Sequence, residues 1–224
     1  YSSAASDVYK RQIQTDGLTH SSIWCIVKDN QGTLWLGTYF GGVNYFNPEY
    51  EIYTRYSYSS NEKKGLSNPV VGRTIEDKNG NLWIGTEGGG LNYYNRRTRE
   101  FKWYRPQEGR NSISHNNVKA LYYDADKEII WIGTHLGGLN KLDIRSGHFT
   151  HYRMEGNNPQ SLPSDIIRDI TPYKDLLIIA TQNGVCLFNP ANGQCRQLFK
   201  DSKEGKSIKM VADVVFDSEG TLWI

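Results

Sequence analysis

Short segments in which apolar and polar residues alternate recur along the whole chain, and each is followed by a turn rich in glycine or asparagine. In NLWIGT, the alternation places Leu82, Ile84 and Thr86 on one face of an extended segment and Trp83 and Gly85 on the other. A period of two is typical of β-strands, whereas an amphipathic helix requires a period of about 3.6 residues. The pattern therefore predicts a protein built from short β-strands.

Residues 65–111 contain three further predicted strands around this one. GLSNPVVGRTIE begins with a turn and then places Val71, Arg73 and Ile75 on one side of an extended first strand. DKNG is a tight-turn signal that leads into NLWIGT. LNYYN follows the turn EGGG as a third strand, and REFKWYRP is a fourth, more exposed strand. We expect the four strands to pair as one antiparallel sheet.

The same arrangement is repeated along the chain. GTLWLGTYFGGVNYFN, EIIWIGTHLGGLNKLD and the more divergent DLLIIATQNGVCLFNP are further copies of GNLWIGTEGGGLNYYN. The three tryptophans of the clear copies are 48 residues apart, and the next two equivalent positions follow after 47 and 45 residues. Self-similarity at this period indicates a repeat architecture. The equivalent positions are Trp35, Trp83, Trp131, Ile178 and Trp223.

Four short antiparallel strands in about 45 to 48 residues form one blade of a β-propeller. The fold class predicted is therefore all-β, with about four and a half four-stranded blades of an incomplete ring. The predicted blades are residues 17–64, 65–111, 112–160, 161–206 and the truncated 207–224. Residues 13–16 are predicted to end a preceding blade. YSSAASDVYKRQ (residues 1–12) shares nothing with the repeats and is expected to be a non-native leader. We therefore expect the chain to be a fragment.

A blade must bury both of its apolar faces against its neighbours. We expect Trp35, Trp83 and Trp131 to fill the wedge between adjacent sheets. Two positions after each of these, and after Ile178, stands a small residue that would leave room for a neighbouring backbone. These small residues are Gly37, Gly85, Gly133 and Ala180.

Composition and charge exclude several other classes. The formal net charge is +2, from 26 basic and 24 acidic residues spread along the chain, so no nucleic-acid footprint is present. No apolar run approaches the roughly 18 residues that span a bilayer. The three cysteines show no metal-type spacing, and we expect no metal and no cofactor. Cys186 and Cys195 flank a turn, either as two small buried apolar residues or as a cross-strand disulfide.

The glycine-rich stretch EGGG does not read as a phosphate-binding loop. Such a loop requires a helix N-terminus behind it and a Lys-Ser/Thr pair, whereas EGGG leads into an alternating strand. A tight turn that needs positive φ angles explains the glycines. The copies also share no cluster of catalytic residues.

The repeats GLTHSSIWCIVKDNQGTLWLGTYFGGVNYFNP, GLSNPVVGRTIEDKNGNLWIGTEGGGLNYYN and SISHNNVKALYYDADKEIIWIGTHLGGLNKLD closely resemble the two-component regulator propeller repeat. WD40 and kelch signatures are missing. The resemblance covers residues 17–224, and the fourth copy departs from it, with Ile178 in place of tryptophan and TQNGV in place of the T-x-x-G-G turn.

The resemblance implies a sensor and not a catalyst. In that family, which is abundant in Bacteroides-type bacteria, two seven-bladed propellers precede a β-sandwich and a membrane helix, with kinase, receiver and DNA-binding modules inside the cell. It implies an oligosaccharide signal, control of polysaccharide-utilisation genes, a histidine kinase parent and a location on the periplasmic face of the inner membrane. Partners would be the ligand and the other blades of the parent, with a homodimer left open. Membrane contact would come only through other segments of the parent.

Ligand contacts are expected from loops, because the strands are committed to stacking. The turn between the second and third strands shares a propeller face with the connection entering the next blade, and aromatic, amide, imidazole and carboxylate groups there suit a sugar. The turn positions are Tyr39, Phe40, Glu87, His135, Gln182 and Asn183. The entry positions are His20, Asn68, His115, Asn116 and Asp165. The alternative for each is an ordinary solvated loop residue.

Two other functions stay open. A protein–protein interaction scaffold would use the same face for a protein partner. A propeller enzyme, such as a lyase or a quinone-dependent dehydrogenase, would need His, Arg or acidic residues converging on the central channel.

Overall fold

The computed structural model describes residues 18–47, 52–199 and 208–224. Within these ranges the chain forms β-strands and one 3-10 turn, Glu62–Lys64. The strands make four four-stranded antiparallel sheets and one two-stranded sheet, which confirms the predicted all-β propeller class. None of the described residues belongs to a helix long and apolar enough to cross a membrane. The predicted leader, residues 1–12, and the predicted end of a preceding blade, residues 13–16, lie outside the described residues.

Each sheet is a meander in which consecutive strands are neighbours. We number the sheets blades 1 to 5. Blade 1 contains β1 (Ile23–Lys28), β2 (Leu34–Thr38), β3 (Gly42–Asn47) and β4 (Ile52–Tyr56). Blade 2 contains β5 (Val71–Glu76), β6 (Leu82–Thr86), β7 (Gly90–Asn95) and β8 (Glu100–Tyr104). Blade 3 contains β9 (Val118–Asp124), β10 (Ile129–Thr134), β11 (Leu139–Asp143) and β12 (Phe149–Tyr152). Blade 4 contains β13 (Ile167–Tyr173), β14 (Leu176–Thr181), β15 (Gly184–Phe188) and β16 (Cys195–Leu198). Blade 5 contains β17 (Val215–Phe216) and β18 (Leu222–Trp223).

The chain divides into two compact units, one ending at Tyr104 and one beginning at Arg105. In the first unit, the apolar core lies between blades 1 and 2. Trp35 stacks on Tyr56 with 6.0 Å between ring centroids, and its ring lies 6.4 Å from that of Tyr94 in blade 2. Trp35 therefore packs between the two sheets. The buried core residues are Trp35, Val43, Leu66, Val71, Leu82, Ile84, Tyr94 and Phe101.

A buried aspartate holds the indole of Trp35 in place. Asp29 accepts hydrogen bonds from Trp35 Nε1 at 2.8 Å, from the Thr33 N–H at 2.9 Å and from Arg96 of blade 2 at 2.6 Å. Burial alone would raise the pKa of Asp29, but the hydrogen bonds from Trp35, Thr33 and Arg96 together leave that pKa below its ordinary value. The same indole–carboxylate bond recurs in Trp83–Asp77 (3.2 Å) and Trp223–Asp217 (2.8 Å).

In the second unit, blades 3 and 4 share an apolar core in which the Trp131 ring meets Phe188 edge-on, with 5.4 Å between centroids. Blade 4 forms four paired strands although Ile178 replaces tryptophan. Ile178 is buried beside Val211 and Val214, which precede blade 5. The core between blades 3 and 4 contains Ala120, Ile129, Trp131, Leu139, Leu162, Ile167, Ile170, Leu177, Ile179, Cys186, Phe188 and Cys195.

Side chains, and not the backbone, occupy the space beside two of the small residues. A Cβ atom added to Gly37 would lie 2.7 Å from Cγ1 of Val71, and one added to Gly133 would lie 2.5 Å from Cγ2 of Ile167. Val71 and Ile167 begin the first strand of the following blade. The prediction of a neighbouring backbone is therefore wrong for Gly37 and Gly133, because side chains fill the space. In both cases a β-branched side chain from the next sheet contributes, and beside Gly37 the Cys25 sulfur of the same sheet is nearer still, at 2.5 Å from the added Cβ atom.

The first strand of blade 2 does not alternate regularly. The pairing of β5 with β6 shifts its register between Val71 and Thr74. Val71 and Thr74 are both buried, while Arg73 and Ile75 are only half-buried. The prediction that Val71, Arg73 and Ile75 share one face is wrong, because a bulge adds one residue and reverses the alternation after it.

Cys186 and Cys195 are buried free thiols with 3.3 Å between their sulfur atoms. Cys195 pairs with Phe188 across the β15–β16 hairpin, so the two cysteines are diagonal neighbours. The hydrogen bond to Cys195, together with burial, raises the pKa of Cys186. The arrangement agrees with the first alternative, two small residues packed in one blade.

Candidate functional site

A threonine closes the turn after the second strand in each of blades 1 to 4. Its hydroxyl donates a hydrogen bond to the carbonyl of a glycine that is the first residue of the third strand in blades 1, 2 and 4 and immediately precedes that strand in blade 3. This bond fixes the base of the turn without using the residues at its tip. The four pairs are Thr38–Gly42 (2.8 Å), Thr86–Gly90 (2.9 Å), Thr134–Gly138 (2.9 Å) and Thr181–Gly184 (2.8 Å).

The residue after each threonine joins this turn to the entry connection of its own blade. In every case its backbone N–H donates to a carbonyl just before the first strand, so the side chain takes no part in the bond. The four bonds are Tyr39 to Ser22 (3.1 Å), Glu87 to Val70 (3.0 Å), His135 to Asn117 (2.9 Å) and Gln182 to Ile166 (3.0 Å). The structure thus brings the turn positions and the entry positions together at one end of each of blades 1 to 4.

The same end also connects neighbouring blades within each unit. The N–H of Gly42 donates to the Pro69 carbonyl at 3.2 Å, and the N–H of Gly138 donates to the Asp165 carbonyl at 2.9 Å. Both bonds link a turn between second and third strands to the entry connection of the following blade. This is the geometry on which the predicted binding face depends.

The glycines of EGGG in blade 2 serve this turn. Gly88 and Gly90 have φ angles of 99° and 80°, a region that glycine enters at little cost. A Cβ atom on Gly89 would lie 2.3 Å from the Ser67 hydroxyl oxygen. In blade 3, Leu136 stands where blade 2 has Gly88, and it adopts a φ angle of 75°. EGGG is therefore a tight turn against the entry connection.

A fully buried asparagine two residues into the third strand holds each entry connection of blades 1 to 3. Its side-chain oxygen accepts a hydrogen bond from a backbone N–H in that connection. Sequence reasoning missed these residues, although an asparagine stands at the same place in three copies. The bonds are Thr19 to Asn44 (3.1 Å), Ser67 to Asn92 (2.8 Å) and Ser114 to Asn140 (2.8 Å).

Blade 4 changes both partners of this bond. Cys186 stands at the asparagine position, and Pro163 stands at the position whose N–H donates in the other blades. Proline has no N–H, so an asparagine here would lack its donor. An uncharged thiol that needs no such donor is consistent with this loss.

Several predicted entry residues use their side chains to shape their own loops. His20, Asn68 and His115 each accept a hydrogen bond from the backbone N–H two residues later, at 3.0, 2.9 and 3.0 Å. Asp165 accepts from the Met154 N–H at 2.7 Å and lies 3.6 Å from the Arg153 guanidinium. Asp165 is thus part of the loop framework.

The predicted residues of blades 3 and 4 differ in how far they are free to meet a ligand. Asn116 is exposed, whereas Asn183 donates from its side chain to the Pro163 carbonyl at 3.2 Å. Gln182 accepts a hydrogen bond from Arg168. His115 and His135 lie 6.5 Å apart between ring centroids. Burial, His135 and Arg153 lower the pKa of His115, so it is predominantly neutral at neutral pH.

An exposed aromatic group forms this end of blade 1. The Trp24 and Tyr39 rings are stacked with 5.1 Å between centroids and 19° between planes. Phe40 meets Tyr39 edge-on at 4.3 Å, and His20 lies 6.3 Å from both Tyr39 and Phe40. Trp24 and Phe40 are 50% and 57% exposed, so part of each ring is accessible to a ligand. The structure thus joins three predicted residues to Trp24.

Sequence reasoning missed Trp24, because it assigned first strands only to stacking. Trp24 occupies the second position of its strand, where blade 4 has Arg168. Both residues reach the turn of their own blade, since Trp24 stacks on Tyr39 and Arg168 bonds Gln182. The change of residue type at this position between copies was a signal for it.

In blade 2, the position equivalent to Tyr39 is occupied by the acidic residue Glu87. Glu87 is half-buried and interacts with the surrounding protein, and Asn68 lies beside the same turn. In the part of the chain that the structure describes, no group of three or more His, Cys, Asp or Glu side chains could hold a metal ion.

The repeated four-stranded sheets, with the same bonded turn at one end, define the chain as part of a β-propeller. The family model of the two component regulator propeller matches residues 17–40, 65–88 and 112–135. Blades 1 to 3 therefore each contain a segment that matches the two-component regulator propeller repeat. Each matched range runs from the entry connection to the turn that follows the second strand, which is the part of the blade that forms the candidate site.

Solved structures share this fold over most of the chain. The extracellular domain of BT3049 from B. thetaiotaomicron, assigned as a hybrid two component system, is 26% identical with a TM-score of 0.77, and the match covers 93% of this chain and 28% of that one. The extracellular domain of BT4673 from the same organism is 24% identical with a TM-score of 0.73, and the match covers 90% of this chain and 28% of that one. PorZ of the Porphyromonas gingivalis type-IX secretion system is 19% identical with a TM-score of 0.65, and the match covers 87% of this chain and 29% of that one. This chain spans less than a third of the length of each. No curated protein sequence matches it.

Proposed function

We propose that this chain is part of the extracytoplasmic sensor region of a hybrid two-component system and that the turn end of its blades binds an oligosaccharide. In this proposal the parent protein is a histidine kinase anchored in the inner membrane with its propeller in the periplasm. Binding would control polysaccharide-utilisation genes. The chain itself would bind its ligand without chemical conversion.

One observation carries the proposed binding role. The turn and the entry connection are joined by backbone atoms and by the threonine hydroxyl, while the tip side chains differ between blades. Tyr39, Glu87, His135 and Gln182 stand at one equivalent position and donate the same backbone bond. Side chains that can change without altering the frame suit recognition, where loops on a rigid scaffold supply the contacts.

The chemistry of blade 1 supports a sugar as the ligand. Trp24 and Phe40 are exposed aromatic rings beside half-buried Tyr39, and the C–H face of a pyranose can stack on such rings. The sensor role is supported by the likeness to BT3049, whose structure is that of an extracellular domain.

Calorimetric titration of the 224-residue chain with a panel of plant and host oligosaccharides tests the proposal. Trp24→Ala and Glu87→Ala should weaken binding of a ligand from the panel without lowering the melting temperature appreciably. Asn79→Ala is the matched control, because Asn79 is an exposed side chain in the β5–β6 turn at the opposite end of blade 2. Failure of the whole panel to bind would refute the proposed ligand class. Conversion of a sugar during the titration would instead favour an enzyme, and capture of a protein partner would favour a scaffold.

A further inference from the structure

A cleft opens beside the aromatic group of blade 1, between blades 1 and 2 of the first unit. Its volume is about 300 Å³, at the lower end of the range for small-molecule sites. It is formed by the entry connections of both blades, the β2–β3 turn and the chain at the end of β4. The lining residues are Thr19, Phe40, Gly41, Arg55, Ser57, Tyr58 and Pro69.

Close contacts of Gly41 and Gly42 hold the chain in place beside this cleft. A Cβ atom on Gly41 would lie 2.1 Å from the Thr19 hydroxyl oxygen, and one on Gly42 would lie 2.2 Å from the Tyr56 carbonyl oxygen. The Thr19 hydroxyl donates to the Gly41 carbonyl at 2.8 Å and accepts from the Asn44 amide at 2.9 Å. A site with this many short internal contacts is preformed, so little ordering is needed when a ligand binds.

Two aromatic side chains and one charge form the walls. Phe40 and Tyr58 are 57% and 56% exposed, so both rings are accessible from the cleft. Arg55 is the one charged residue among those lining the cleft. No carboxylate in the residues that the structure describes forms an ion pair with Arg55.

This combination selects a particular kind of sugar. Ring faces stack on the C–H faces of a pyranose, and a guanidinium forms two parallel hydrogen bonds with a carboxylate or a similar oxyanion. A neutral sugar would leave the Arg55 charge without a counterpart inside the cleft. An anionic one would supply it.

We infer that the cleft binds an anionic sugar residue, a uronate or a sulfated hexose, with Arg55 on the anionic group and Phe40 and Tyr58 on the ring. The inference rests on the proposed oligosaccharide-binding function and specifies its ligand class. The carboxylate and the sulfate share the same oxyanion chemistry, and the test separates them.

The test compares charged and neutral forms of the same ligand by calorimetry with the 224-residue chain. The carboxylate arm uses trigalacturonic acid and its methyl ester, and the sulfate arm uses a sulfated neocarrabiose and its desulfated form. In at least one arm the charged form should bind about tenfold more tightly, which corresponds to about 1.4 kcal/mol. The preference should shrink as salt is raised, because Arg55 is exposed.

Variants separate the role of charge from that of ring stacking. Arg55→Gln should abolish the preference, so that the charged ligand binds no more tightly than the neutral form. Arg55→Lys should retain part of it, since lysine keeps the charge but not the planar fork. Phe40→Ala should weaken both forms equally. Arg97→Gln is the matched control, an exposed arginine in the β7–β8 turn of blade 2.

The outcomes distinguish this inference from the proposed function. If charged and neutral ligands bind equally in both arms, or if Arg55→Gln leaves the preference intact, the inference is wrong and oligosaccharide binding stands. If these ligands and the neutral panel all fail to bind, both are wrong. Circular dichroism and melting of each variant verify that the fold is intact.

Discussion

Replacing Asn92 with alanine should destabilise blade 2 by removing the link between its entry connection and its third strand. The Asn92 oxygen accepts from the Ser67 N–H at 2.8 Å, and its amide donates to the Ile84 carbonyl at 3.3 Å. Both Asn92 and Ser67 are buried, with exposed fractions of 1% or less for Asn92 and 5% for Ser67. Alanine removes the acceptor that Asn92 supplies to the buried Ser67 N–H, a loss that costs about 1–3 kcal/mol.

Urea unfolding followed by tryptophan fluorescence measures this loss, and hydrogen exchange locates it. The Ser67 amide should exchange faster in the Asn92→Ala variant than in the wild type, because its acceptor is gone. Asn79→Ala is the control, since its exposed side chain lies in the β5–β6 turn of the same blade. Equal stability of the two variants would refute the reasoning.

Blade 4 provides the reverse test. Cys186→Asn should destabilise, because Pro163 offers no N–H to the new buried amide. Adding Pro163→Ser, the residue found at this place in blades 2 and 3, should restore part of the stability. If Cys186→Asn alone is as stable as the wild type, the combination of residues at positions 163 and 186 does not affect the free energy of unfolding.

Three further predictions concern single features. The pKa of Asp29 in the folded chain is below its unfolded value of about 4. Its contribution to stability is therefore present above about pH 4 and is lost as the pH falls through the folded pKa. The difference in unfolding free energy between the wild type and Asp29→Asn should shrink accordingly in acid. Leu136→Gly should stabilise the chain by about 1 kcal/mol in thermal melts, because Leu136 adopts a φ angle of 75° that glycine tolerates, whereas Leu136→Ala should bring no such gain. Cys186 and Cys195 are buried, so an aromatic disulfide reagent should modify them only after unfolding. Rapid modification of these two cysteines in the native chain, distinguished from that of half-buried Cys25 by peptide mapping, would contradict their burial.

The repeat pattern was enough to predict the blades, because one tryptophan at a period of 48 residues fixes a structural unit that recurs. The same pattern could not reveal the bulge after Val71, since strand alternation gives no sign of which residue is extra. It also misjudged what faces Gly37, where only the packing of two sheets brings the Val71 side chain into contact.

The sequence predicted which loops meet at the turn end of the blades, but not how their side chains are bonded. Variation at Tyr39 and its equivalents pointed to the turn end of the blades. The commitment of Asp165 to Met154 and Arg153 was not predictable, because it depends on how a loop folds back on the blade 3 edge. Trp24 was missed for a related reason, since its contact with Tyr39 follows from the local strand geometry at the entry of β1.

The buried asparagine also bears on how such chains can recombine. Its partner N–H lies about 25 residues earlier in the same blade, as in the Thr19–Asn44 pair, while the bond from Gly42 to the next blade uses backbone atoms alone. A crossover between whole blades therefore keeps every side-chain bond of this kind intact. A crossover inside a blade could join the entry connection that contains Pro163 to a third strand that contains the asparagine. The buried side-chain amide would then lack its backbone N–H donor. By this criterion, a whole blade can be exchanged without leaving its buried asparagine unpaired.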